Sequence, residues 1–191
     1  MKQSDFTGYA RLLKNWVAFS QKHLYVCPER PDLICYGAGE HGHWGVHTHQ
    51  KAFSAFATLA ALTEIDLIDF PLTREQVLEH ALGMLRYSLE THLEGSFVCT
   101  DGSKWGHNWI YVLGIERMFH GIEAIEAHLT AADNALLKKV LLSESDFILH
   151  DYPILAGLTK NNKPESNIWK KHSASSPTES LWNQTSILMK S

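Results

Sequence analysis

Thr73-Arg-Glu-Gln76-Val77-Leu78-Glu-His-Ala81-Leu82-Gly-Met-Leu85-Arg-Tyr-Ser-Leu89-Glu-Thr-His92 is the stretch whose reading decides the fold. Thr73 and Gln76 have the spacing of a capping box, in which the two side chains reciprocally satisfy exposed backbone amides at a helix start. Val77, Leu78, Ala81, Leu82, Leu85 and Leu89 then recur every three to four residues, an apolar stripe that runs to about His92. A chain that starts a helix this explicitly and continues it with one apolar face needs other helices to cover that face.

Working outward, the same grammar repeats. Thr130-Ala-Ala-Asp133 is a second capping box, and Leu136, Leu137, Val140, Leu141 and Phe147 carry a helix to about His150. Between the two boxes, glycines at 95 and 102 mark a loop that leads to a helix from about Gly106 to His128. Upstream, Phe53, Phe56, Ala57, Ala60 and Ala61, with few charges, predict a helix buried on most sides, starting between Trp44 and Gln50 and ending near Glu64. Phe6, Tyr9, Leu12, Leu13, Trp16 and Val17 predict a first helix from Asp5 to about His23. Pro28 and Pro31 then break the chain, and the glycines at 37, 39, 42 and 45 make a loop. Only Ser96 to Thr100 hints at strand-like alternation. The expectation is an all-α chain of stacked antiparallel helical hairpins, whose connecting loops fall on one rim.

Composition narrows the partners. The 191 residues suffice for one domain with a real core, and 45% hydrophobic with 20% charged residues is ordinary for a globular protein. A net charge of −4 without any Lys/Arg run argues against nucleic acid. No apolar run approaches the roughly 18 residues that would span a bilayer, and the first residues lack the apolar core of a secretory signal, so neither membrane nor export is expected. Cys27, Cys35 and Cys99 are an odd number without metal-type spacing and read as free buried thiols. Together these features point to a cytoplasmic protein. Residues 170–191 are polar, lack a periodic stripe and are expected to be poorly ordered.

Three polar groups stand out against this helical background. Gly37 to Gln50 holds four imidazoles (His41, His43, His47, His49), Glu40 and Trp44, directly before the most apolar helix. Imidazole titrates nearest working pH and is also a common metal ligand, so the His41–His49 loop is a candidate for an organic ligand or a divalent metal. Trp105-Gly-His107-Asn108-Trp109-Ile-Tyr111 places His107 and Tyr111 on one helix face, with Asn108 in the first turn where free amides favour anions. The indoles of Trp44, Trp105 and Trp109 offer flat faces for sugar rings. The third group, Asn161-Asn162-Lys-Pro-Glu165-Ser-Asn167, offers amides and a carboxylate to hydroxyls. His43, His47 and Gln50 complete the candidate contacts to ligand.

The strings Gly42-His-Trp-Gly-Val-His-Thr-His-Gln-Lys-Ala-Phe53, Asp101-Gly-Ser-Lys-Trp-Gly-His-Asn-Trp-Ile110 and Lys160-Asn-Asn-Lys-Pro-Glu-Ser-Asn-Ile-Trp169 resemble bacterial heparinase II/III-like proteins. The resemblance covers residues 6–169 and implies an N-terminal portion, 1–169, of an incomplete α/α toroid. It also implies β-elimination on a uronate-containing oligo- or polysaccharide. Asn108 and His107 would then neutralise the uronate carboxylate, and Tyr111 or His49 would move the proton. Two departures stand against a direct transfer: the order here is His107-Asn108 rather than Asn before His, and the catalytic Tyr of such lyases lies on a later helix. The chain is also much shorter than such proteins, and its third motif leads into the polar tail. A reading frame truncated or shifted near Trp169 is therefore expected, as is self-association through an exposed apolar helix edge. Alternatives are a glycoside hydrolase using Glu40, Asp101 or Glu165, and a non-catalytic carbohydrate- or metal-binding helical module.

Overall fold

A computed structural model describes residues 3–42 and 44–151. The expected domain boundary at Trp169 and the polar tail lie outside them.

The chain is mostly helical. Helix α1 spans Gln3–Ser20 and ends in a 3-10 turn, Gln21–His23; α2 spans Gly45–Ala61, α3 Arg74–Thr91, α4 Trp109–Ile125 and α5 Ala131–Asp146. A 3-10 turn, Glu126–His128, separates α4 from α5, and a π turn, Phe147–Asp151, continues α5. Both expected capping boxes form: Thr73 accepts from the Gln76 amide while Gln76 accepts from the Thr73 amide, and Thr130 and Asp133 do the same.

Helix α2 is the centre of the molecule. It packs against α4 on one side and α3 on the other, and also touches α1. Phe53, Phe56, Ala52, Ala57 and Leu59 on α2 are fully buried. They meet Val77, Ala81, Met84 and Leu85 of α3 and Met118, Phe119 and Ile122 of α4 in one continuous core. Gly121 of α4 lets the two backbones approach, since a β-carbon there would come within 2.8 Å of the Phe53 ring and 2.9 Å of the Ser54 Cα. Helix α1 carries four large exposed apolar side chains, Tyr9, Leu12, Trp16 and Phe19.

One element departs from the all-helical expectation. Leu24–Cys27 (β1) and Arg30–Tyr36 (β2) form an antiparallel hairpin that lies on α3. Pro28 and Glu29 make its turn, so the proline read as a chain break is the hairpin's corner. Pro31 is tolerated because it lies in the irregular register between the Cys27–Arg30 and Val26–Ile34 pairs, where its missing N–H costs no ladder bond. Ser96–Thr100 is not a strand; it is a turn tied to the end of α3 by the Phe97 amide donating to Glu90 O (2.9 Å) and the Ser96 amide donating to the Glu90 carboxylate (2.9 Å). Among the described residues no helix is long and apolar enough to cross a membrane.

Candidate functional site

The loop before α2 and the loop before α4 are joined. The Asp101 carboxylate accepts from the amides of His41 (3.0 Å) and Gly42 (3.4 Å), and with its other oxygen from the Ser103 amide (3.1 Å) and hydroxyl (2.6 Å). Thr100 adds a hydroxyl bond to Ala38 O, and Tyr111 donates to His41 O at 3.4 Å. The His41 ring lies 5.5 Å from the Tyr111 ring. Two clusters about sixty residues apart in sequence thus meet on one rim beside α4.

At this rim α2 begins without a side-chain cap. Trp44 sits at a left-handed φ of 68°, and the first amides are satisfied by Gly42 O and Glu40 O instead. That conformation leaves the Trp44 side chain 55% exposed, edge-on to His47 at 5.3 Å. One turn on, His47 and Gln50 are buried against α4 beside Gly114, where a β-carbon would overlap the Gln50 amide oxygen and approach His47 Nδ1 to 3.3 Å. His47 Nε2 meets Arg117 Nη1 at 2.8 Å, whereas His47 Nδ1 and both amide atoms of Gln50 have no hydrogen-bond partner.

His49 is held differently from its neighbours. Its Nδ1 accepts from the Tyr36 amide (2.9 Å) and its Nε2 donates to Met84 O (2.9 Å), with the ring fully buried beside Tyr87. Burial drives its pKa down to about 4 despite the bond to Met84, so it is neutral at working pH. Both ring nitrogens are spent on joining β2 to α3, which leaves His49 no nitrogen for a substrate proton or a metal. Among the described residues no group of three or more His, Cys, Asp or Glu is arranged to hold a metal ion.

The second cluster divides in two. Asn108 is the N-cap of α4, its Oδ1 accepting from the Ile110 amide (3.1 Å) with the side chain exposed. Tyr111 is buried against Trp105 and His41, and burial pushes its phenol up to about 12. Trp105 itself is a core residue, its indole N–H donating to Ser88 O at 2.9 Å, and offers no face to a sugar. His107 turns towards α5. Its amide donates to the buried Glu144 carboxylate (2.6 Å), its Nε2 meets Ser143 Oγ (3.0 Å) and its ring stacks on Phe147. The same Glu144 oxygen accepts from His92 Nε2 at 2.9 Å.

The chain matches no protein-family model, no curated protein and no solved structure. What the rim does must therefore follow from its own groups. Asp101 is unsuited to donating a proton: although burial alone would raise its pKa, the Ser103 hydroxyl and the Ser103, Gly42 and His41 amides hold it near 2. This removes Asp101 as the acid of the hydrolase alternative. His43, Asn161, Asn162, Glu165 and Asn167 lie outside the described residues, as does the side chain of Trp109.

A separate cavity of about 520 Å³ lies behind the first loop, lined among others by Tyr25, Cys27, Cys35, Tyr87, Phe97 and Cys99. All three cysteines are free and buried, and burial raises their pKa values, for Cys35 to about 12 and Cys99 to about 11. Such thiols are poor nucleophiles. Arg117 of α4 is a residue of this rim that sequence reasoning misses. It lies 70 positions from His47, and no local periodicity connects the two.

Proposed function

We propose that this chain is a lyase-like protein built on stacked α/α hairpins, acting in the cytoplasm, that takes a uronate-containing oligo- or polysaccharide at the His41–Trp44–Asn108–Tyr111 rim and cleaves it by β-elimination. The observation that supports this reading most directly is the Asp101 clamp, which fixes the His41 and Tyr111 rings beside each other and beside the N-terminus of α4.

β-Elimination needs the sugar carboxylate neutralised, the adjacent C5 proton removed and the departing glycosidic oxygen protonated. Asn108 Oδ1 is spent on its cap, so its amide N–H₂ faces outward as a donor, backed by the helix N-terminus, and takes the carboxylate. Tyr111 keeps its proton at neutral pH because burial disfavours the phenolate, and so suits the leaving oxygen as acid. Its long bond to His41 O is easily exchanged for one to the ligand. The His41 imidazole takes the C5 proton, and Trp44 stacks on a sugar face. His107 holds the turn before α4 through Glu144 and Ser143 rather than touching substrate.

The test is incubation with uronate-containing glycans while following the ultraviolet absorbance of an unsaturated uronate product. N108D, which keeps the cap oxygen but replaces the amide donor with a carboxylate, and Y111F are expected to lose product formation by about 100-fold or more, with melting temperatures near that of the parent protein. Glycan binding with no product in the parent protein would overturn elimination and favour the binding-module alternative.

A further inference from the structure

His47 and Gln50 are buried polar side chains with hydrogen-bonding atoms left open, and the geometry says which kind. A guanidinium carries only donors, so Arg117 Nη1, 2.8 Å away, must donate to His47 Nε2. Burial, with Lys51 and Arg117 nearby, lowers the His47 pKa and keeps the ring neutral. Its one proton is therefore on Nδ1, pointing towards the Gln50 amide and Gly114 with nothing to accept it. Gln50 is wholly buried, and its amide also lacks a partner. Leaving such groups unpaired in the interior is unfavourable, and an apolar side chain of similar size at position 50 would avoid the penalty. Nothing in the packing calls for an amide there.

We propose that Arg117, His47 and Gln50 form a donor subsite beneath Trp44 for a carboxylate-bearing sugar, with Arg117 as the residue that sets its specificity. Arg117 acts twice. It holds the imidazole with its N–H turned towards the ligand, and its own exposed head supplies the positive charge that favours an anion over a neutral hydroxyl group. Trp44, 55% exposed and 5.3 Å from the His47 ring, is the neighbour on the side from which the pair is reached. This inference rests on the glycan reading above and adds to it the residues that choose a charged sugar.

The experiment titrates the protein with a glucuronate-containing oligosaccharide and with its carboxyl-reduced counterpart, and assigns the His47 tautomer by nitrogen-15 NMR. The parent protein is expected to show the Nδ1–H form and a preference for the charged sugar of roughly tenfold. R117M should lose both the preference and the single tautomer, and R117K should retain part of the preference. Q50L should weaken binding of both sugars while raising the melting temperature. Charged-sugar preference dependent on Arg117, with no unsaturated product, would leave the subsite standing and remove elimination. Product formation with R117M keeping the preference, or keeping the Nδ1–H tautomer, would overturn the subsite and leave elimination standing. A parent protein that binds neither sugar overturns it as well.

Discussion

At the residue scale, His49 shows why a histidine-rich segment cannot be read as a set of equivalent ligands. His47 and His49 are two residues apart on one helix, so their side chains diverge by about 200°, one to α4 and the other to β2 and α3. The sequence shows both imidazoles but not which partners stand around them, because those partners come from positions 36, 84 and 117. The consequence for stability has a definite sign. His49 has a folded pKa near 4 against an ordinary 6.5, so the unfolded chain binds its proton first as pH falls. Stability is intact above pH 6.5, drops between 6.5 and 4, and is down by about 3 kcal/mol at the lower end. Burial lowers His80 and His47 in the same direction, which adds to the slope. Urea midpoints measured between pH 7 and 4 should fall accordingly, and H49Q should be less stable at pH 7 but have a visibly flatter pH profile. An unchanged slope in H49Q would mean that folding does not lower the His49 pKa.

At the element scale, the helices were legible and the hairpin was not, for the same reason. Helices announce themselves through a repeat that many residues share, as in Val77, Ala81, Leu85 and Leu89, and through caps such as Thr73 and Thr130. The hairpin is short, and its turn proline and its strand proline both argue locally for irregular chain. Its pairing depends on α3 lying beneath it. The caps give a direct check: T73A and T130A should each cost about 1 kcal/mol in denaturation. T130A should cost more of the two, since Asp133 also pairs with Arg86 at 2.9 and 3.0 Å. Glycines on the helices sort the same way. A β-carbon added at Gly8 would meet nothing within 4 Å, so G8A should stabilise α1 by up to about 1 kcal/mol. Gly114 and Gly121 face α2 with no room, so G114A and G121A should destabilise by at least as much in the opposite sense. Melting temperatures of the three variants order them, and a stabilising G114A would show that Gln50 does not lie against α4.

At the scale of the whole molecule, α5 is the outlying helix, held by Leu137, Val140 and Leu141 in the core and by a polar joint beside them. It contacts α3, and its polar attachment is the buried Glu144, whose one oxygen joins His92 at the end of α3 to the His107 amide just before α4. Ser143 and Lys139 extend the joint, with Ser143 Oγ donating to Glu94 at 3.1 Å and taking the His107 ring bond on its oxygen. The turn it holds is a strained one: Gly106 has a φ of 136° and His107 a φ of 53°. A β-carbon at 106 would come within 2.7 Å of His92 Nε2. Through this joint the placement of Asn108 and Tyr111 on the rim depends on α5. E144Q preserves an oxygen that can accept both bonds and should lose less than about 1 kcal/mol. E144L leaves the buried His92 N–H and the His107 amide without partners and should lose about 2–3 kcal/mol. Amide hydrogen exchange separates this from a general loss of stability. In E144L, exchange at residues 106–111 should speed up well beyond the change in the core of α2, because the turn loses its anchor while the α2 packing on α3 and α4 is untouched. Uniform acceleration across α2, α3 and α4 would instead show that α5 is an integral part of the core and not a strut for the rim.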